Sequence, residues 1–166
     1  MKTTLITRFT RFVAGLAFFA SMLGANAAPL SGTKSVGPTG DYASLTAAIT
    51  DIQTETLGGA LVLELQASYV STVETFPLTI PALTGASATN TFTIRPASGA
   101  TALAISSADT TAATVDLKGA QFVTFDGRPG GAGTAKELTI ANTSTVGVAL
   151  RFINEASGNT IKFVRV

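Results

Sequence analysis

Four short segments recur at one spacing along the chain, and no other feature restricts the fold as strongly. They read FTIRP from Phe92, VDLKG from Val115, LTIAN from Leu138 and IKFVR from Ile161, at a constant spacing of 23 along the chain. In each, the first and third residues are apolar: Phe92 and Ile94, Val115 and Leu117, Leu138 and Ile140, Ile161 and Phe163. The residue between them is polar: Thr93, Asp116, Thr139 and Lys162. Alternation of period two puts the apolar pair on one face of a strand and the polar residue on the other. A second set, Leu78/Ile80, Leu103/Ile105, Val123/Phe125 and Val148/Leu150, recurs at intervals of 25, 20 and 25, so each period holds at least two strands. Corners rich in Gly, Pro, Ser and Asn separate them: PASGA at Pro96, GRPGGAG at Gly127 and EASGN at Glu155.

Tight antiparallel hairpins need two-residue turns of the Asn-Gly type, and between strand pairs only Asp126-Gly127 qualifies, followed by a glycine-rich excursion. The spacing instead predicts an all-β solenoid, a parallel β-helix of about 23 residues per coil. Segment 92 would stack under 115, that under 138, and that under 161, around a column of Ile, Leu, Val and Phe. An all-β sandwich, with strands roughly every 8 to 12 residues, is the competing arrangement. It leaves the in-phase spacing unexplained.

The N-terminus has a different character. Met1 to Arg11 carries Lys2, Arg8 and Arg11 with no acid, FVAGLAFFASML from Phe12 is apolar or small throughout, and Ala25-Asn26-Ala27 offers a small-x-small cleavage site. This is the layout of a secretory signal peptide over residues 1–27. A membrane anchor needs about 18 or more apolar residues, and this run is shorter and ends in Gly24, Asn26 and Pro29. The mature chain is expected to begin at Ala28, without a membrane span, and to be secreted or held at the cell surface. Losing three of eleven basic residues leaves eight against ten acids, so the formal charge moves from +1 to −2. No basic run interleaved with aromatics remains, which argues against a nucleic-acid surface. There is no cysteine or histidine. That excludes disulfides, thiolate metal sites, zinc sites of the usual kind and histidine acid-base chemistry. No metal or cofactor is expected.

Residues 28–36 read as a linker or first strand, and residues 37–166 as one domain. Near its start, GPTGDYASLTAAITDI carries Leu45, Ala48, Ile49 and Ile52 at helical spacing, with Ser44 as N-cap and Asp41 near the positive end of the helix dipole. A helix of about two turns over 44–53 is not stable alone and must dock. The open N-terminal end of the stack is the nearest apolar surface. At the other end NTIKFVRV is strand-like, with no capping helix or polar tail. This predicts either further C-terminal domains or self-association through an uncapped last coil.

The residues GDYASLTAAI, a strand, SYV at Ser68, FTIRP and FVTFDG together resemble the opening of the pectate-lyase-like right-handed parallel β-helix superfamily. Pectin methylesterases similarly run from a glycine-aspartate turn into a short helix, a strand and the first coils. The closer likeness is to segments near the N-terminus of large secreted bacterial surface proteins, adhesin-like in character, and it covers about Ser31 to Val166. The resemblance implies a right-handed parallel β-helix. It implies little about activity: the two aspartates and arginine of the esterases, and the clustered calcium-binding acids of the lyases, have no counterparts in this sequence.

Among residues able to carry chemistry, Asp126 in FVTFDGR stands first, with Arg128 two residues on and Asp116 and Lys136 on flanking segments; a hydrolase or lyase needs such a carboxylate-arginine grouping. The plainer alternative makes Asp126 a turn cap and Arg128 a solvated loop residue. Asn142, Asn154 and Asn159 fall near corners, where their amides satisfy backbone groups or meet a sugar. GRPGGAG lacks the lysine and hydroxyl of a phosphate loop. Thr93, Asp116, Thr139 and Lys162 would form one outward row able to face an extended polymer. The expected function is a non-catalytic module, adhesin-like, binding polysaccharide or another cell-surface component or acting structurally. A carbohydrate-active enzyme of the pectin esterase or lyase type, acting on an acidic polysaccharide, is the alternative.

Overall fold

A computed structural model describes residues 28–166; the expected signal peptide at 1–27 lies outside the described residues. Eleven strands follow in order: β1 (Leu30–Val36), β2 (Leu57–Leu65), β3 (Leu78–Pro81), β4 (Phe92–Pro96), β5 (Leu103–Ser107), β6 (Ala113–Lys118), β7 (Val123–Asp126), β8 (Leu138–Asn142), β9 (Val148–Ile153), β10 (Thr160–Lys162) and β11 (Val164–Arg165). One helix, α1 (Leu45–Ile52), lies between β1 and β2.

The alternation that marks strands in the sequence is realised as expected on physical grounds. In β2, Leu61, Leu63 and Leu65 are buried while Val62 and Glu64 between them are only partly so. In α1, Ser44 accepts the Ala47 N–H at 3.0 Å through its hydroxyl, and Leu45, Ala48, Ile49 and Ile52 form the buried stripe. Each such Leu or Ile contributes about 1.5–3 kcal/mol relative to an exposed side chain, which anchors a helix too short to persist alone.

How the strands combine overturns the predicted arrangement. They form three separate sheets, a five-stranded one ordered β1-β2-β4-β7-β10 (sheet A) and two three-stranded ones ordered β3-β6-β9 (sheet B) and β11-β8-β5 (sheet C). Every strand pair is parallel. The segments at 92, 115, 138 and 161 do not stack on one another: β4 is in sheet A, β6 in sheet B, β8 in sheet C and β10 in sheet A again. Phe92 pairs with Val123, Val115 with Leu150, and Leu138 with Val164. The expected right-handed parallel β-helix, with one coil per recurrence of these segments, is therefore corrected to three parallel sheets with one helix.

The difference has a simple cause. From β4 onward the chain visits the sheets in rotation, so a strand stacks on the third one after it, not the second. Stacked partners lie farther apart in the chain than the recurrent segments do: 31 for Glu64 and Arg95, 35 for Asp116 and Arg151. Every second strand recurs after two-thirds of such an interval, and two-thirds of 35 is about 23. The recurrence is real, but it links strands that are not neighbours.

The core consists of inward columns running through successive strands. Leu63, Ile94 and Phe125 form one in sheet A, Val115 and Leu117 lie on Leu150 and Phe152 in sheet B, and Leu103 and Ile105 lie on Leu138 and Ile140 in sheet C. At the β1 end, α1 packs against β1 and β3.

Candidate functional site

The acidic residues singled out from the sequence are close to the surface yet enclosed. Asp126 is 3 % exposed at the end of β7, and Asp116 is 4 % exposed in the middle of β6. They belong to different sheets, and each is occupied by its own arginine.

Around Asp126 the sequence folds back on itself. Asp126 Oδ1 accepts the Arg128 backbone N–H at 3.1 Å and Nε at 2.9 Å, and Oδ2 accepts Nη2 at 2.7 Å. Lys162, in register on β10, brings Nζ to 3.4 Å from Oδ2. Burial by itself would push the Asp126 carboxyl up, but the Arg128 hydrogen bonds and the Lys162 charge outweigh it and hold the carboxyl below its ordinary value of 3.8. The turn-cap alternative holds for Asp126. It fails for Arg128, which is no solvated loop residue: its guanidinium lies over the Phe163 ring, 4.6 Å from the centroid. Gly127 permits this arrangement because a Cβ there would collide with the Phe163 carbonyl.

Asp116 faces Arg151 on the neighbouring strand β9, with both oxygens engaged at 2.6 Å by Nε and Nη2. Such a fork-on-fork pair fixes geometry as well as charge. The hydrogen bond to Asp116 also raises the Arg151 pKa. Lys136 makes no ion pair with either carboxylate.

The expected outward row of Thr93, Asp116, Thr139 and Lys162 does not exist as a row, since these residues are divided among sheets A, B, C and A. The reason is the same two-thirds recurrence. The rows that do exist follow the observed register: Thr93, Thr124 and Thr160 lie side by side on β4, β7 and β10. Beside them Glu64 pairs with Arg95, and Asp126 pairs with Lys162. Arg95 donates to Glu64 Oε1 from Nε at 3.0 Å and Nη2 at 2.7 Å.

Two of the three corner asparagines bond the backbone. Asn142 Nδ2 donates to the Asp109 carbonyl at 2.9 Å, and Asn159 bridges the Ala120 carbonyl and the Val123 N–H at 2.8 and 2.9 Å. Asn154 instead sits at φ 54°, a left-handed conformation that Asn tolerates better than most residues.

Sequence reasoning missed Glu74 altogether. Its carboxylate accepts the Leu45 and Thr46 N–H groups at 2.7 Å each and the Thr46 hydroxyl at 2.6 Å, so the acid at the positive end of α1 comes from the loop before β3. Asp41, expected there, instead accepts the Ser35 N–H and hydroxyl at 2.7 and 2.8 Å. Nothing in the local pattern around Glu74 signals this role. Arg151 could have been found, but only with a 35-residue register in hand.

Two grooves lie elsewhere. One of about 190 Å³ separates α1 from β3 and is lined by Thr46, Ile49, Thr50, Gln53 and Leu78. The other, about 330 Å³, is lined by Tyr69, Val70, Thr72, Thr101 and Leu103. Neither includes Asp116, Asp126 or Arg128. The Tyr69 hydroxyl is buried without a hydrogen-bond partner among the described residues, and burial, reinforced by the Glu74 charge, pushes its pKa far above the ordinary tyrosine value.

No family model, curated protein or solved structure matches this chain. Among the described residues no helix is long and apolar enough to cross a membrane, and no group of three or more acids is placed to hold a metal ion.

Proposed function

We propose that the chain is an exported, non-catalytic module, adhesin-like, that binds polysaccharide or another cell-surface component through its sheet faces or serves structurally. The observation that carries this reading is the engagement of both candidate carboxylates. A general base or nucleophile needs a lone pair directed at substrate and a pKa near the working pH. Asp126 and Asp116 direct both oxygens at guanidinium groups, and Asp126 is held on the acidic side of its ordinary value.

The face best suited to a polymer is that of sheet A. Thr93, Thr124 and Thr160 offer hydroxyls on adjacent strands, about 4.8 Å apart, beside the charged positions Glu64, Arg95, Asp126 and Lys162. Export rests on the pattern of residues 1–27, and N-terminal sequencing of secreted material should begin at Ala28.

The test incubates the purified mature chain with polygalacturonate, methyl-esterified pectin and a neutral glucan. Retention on at least one, weakened by Thr124→Glu, with no products released, is expected. Release of uronic acid or methanol that disappears in Asp126→Asn would make the enzyme alternative correct.

A further inference from the structure

From β4 onward each passage from sheet A to sheet B goes by way of a strand in sheet C: β5 lies between β4 and β6, and β8 between β7 and β9. Between β2 and β3 that strand is missing. Residues 66–77 are all described, and where later passages hold a sheet C strand they form the 3-10 turn Ser71–Val73. β5 therefore begins sheet C with no strand on its outer side, at a gap within the chain.

The turn packs against β5, yet no hydrogen bond joins residues 66–77 to residues 101–107. Leu103 directs its N–H at the Glu137 carbonyl at 2.9 Å, and the Ser107 carbonyl accepts the Thr143 N–H at 2.8 Å, so both residues turn their main chain toward β8. Along a strand paired in parallel, successive residues direct these groups to opposite sides. Ala104 is exposed and lines the groove of about 330 Å³, so its N–H and C=O point away from β8 and toward the turn. Val70, on the same groove, is 50 % exposed. An open strand edge beside an apolar wall is a surface that accepts an added strand.

Charge selects the occupant. No described residue lining the groove is charged. Beside it stands Glu137, whose Oε2 accepts the N–H of the groove residue Ala102 at 2.8 Å and whose other oxygen has no partner among the described residues. Neither Lys136 nor any other described cation forms an ion pair with it. An uncompensated carboxylate favours a cationic side chain on whatever enters. The groove is at the small end of the range for ligand sites, which suits a short segment. A second copy fits poorly, because joining two β5 edges would bring two Glu137 carboxylates to one joint.

We propose that the β5 edge beside Ser71–Val73 is a docking site for a short extended segment of another protein. That segment hydrogen-bonds the main chain at Ala104 and carries a Lys or Arg that reaches Glu137. The site does not depend on polymer binding at the face of sheet A.

The experiment uses the full mature chain, isotope-labelled for amide NMR, and end-blocked pentapeptides: Ser-Val-Lys-Val-Ser, the same peptide with Glu for Lys, and the Lys peptide with N-methylated valines. The Lys peptide should shift the Ala102 and Ala104 amide resonances saturably, and the other two should bind at least tenfold more weakly. Glu137→Gln keeps an acceptor for the Ala102 N–H and should bring the Lys and Glu peptides within threefold, with an unchanged circular dichroism spectrum. Thr124→Glu, on sheet A, should leave the binding as in the wild type. An Ala104 resonance that stays put at millimolar Lys peptide, or equal binding of the Lys peptide and either of the others, overturns the proposal. So does an Ala104 shift that follows protein concentration without peptide, which would assign the edge to a second copy.

Discussion

Replacing Glu74 with alanine is the sharpest test of how the β1 end is held. The perturbation removes a carboxylate that accepts two helix amides and one hydroxyl, all at 2.6–2.7 Å, from a partly buried position. Hydrogen bonds to a charged group are worth about 1.5–3 kcal/mol each when their partners would otherwise be unsatisfied, and the helix-dipole attraction adds about 0.3–1 kcal/mol. Water can take the carboxylate's place at the amides and hydroxyl it reaches, so only part of that sum is lost and the cost should be about 2–4 kcal/mol. For a domain of this length 1 kcal/mol moves the melting temperature by about 3 °C, giving a drop of roughly 6–12 °C. Glu74→Gln keeps one acceptor oxygen and should lose about half as much. Thermal melts followed by circular dichroism at pH 7, with urea titration as a second measure, decide the matter. A shift below about 2 °C for Glu74→Ala, or equal shifts for the two variants, would refute the capping argument.

Three other outcomes are expected. Because the folded pKa of Asp126 lies below 3.8, its contribution to stability is complete above about pH 5 and is lost as the pH falls through and below that value; urea midpoints from pH 7 to pH 3 should fall less in Asp126→Asn than in the wild type. Arg151→Met leaves Asp116 buried without its cation and should cost about 2–4 kcal/mol in urea unfolding at pH 7, while the double variant Arg151→Met with Asp116→Leu recovers most of it. Gly127→Ala drives a methyl into the Phe163 carbonyl and should cost about 1–3 kcal/mol, whereas the same change at Gly99, where an added Cβ meets nothing within 4 Å but φ is +79°, should cost about 1 kcal/mol from backbone strain alone. Equal losses at the two glycines would argue against the close approach at Gly127.

Much of the local structure is legible in single stretches of chain. Period-two alternation marks Leu61–Leu65 and Phe92–Pro96 as half-buried strands, and the stripe Leu45, Ala48, Ile49 and Ile52 marks a helix capped by Ser44. Each of these depends on residues within a turn or two of one another, where backbone geometry dictates which side chains share a face. The candidate site is less legible. Asp126 and Arg128 stand two residues apart and their association can be anticipated, but Asp116 and Arg151 meet across 35 residues, and Glu74 reaches the α1 amides across 29 and 28.

The sequence by itself determined most strand segments, the helix and the inward alternation within them, because alternation, amphipathicity and capping act over a few bonds. It missed the corner at Phe163, whose φ of 53° splits the segment from Ile161 between β10 and β11, and the burial of Asp116. Only the tertiary structure decided which strand lies beside which. Alternation is identical for every possible pairing of two strands, so the even spacing of the four segments was compatible with neighbours that the chain does not use. Three sheets visited in turn separate Val115 from Leu138 and bring it to Leu150. That choice divides the predicted polar row among three faces and closes Asp116 onto Arg151, whereas Asp126 meets Arg128 within a single turn whatever the pairing.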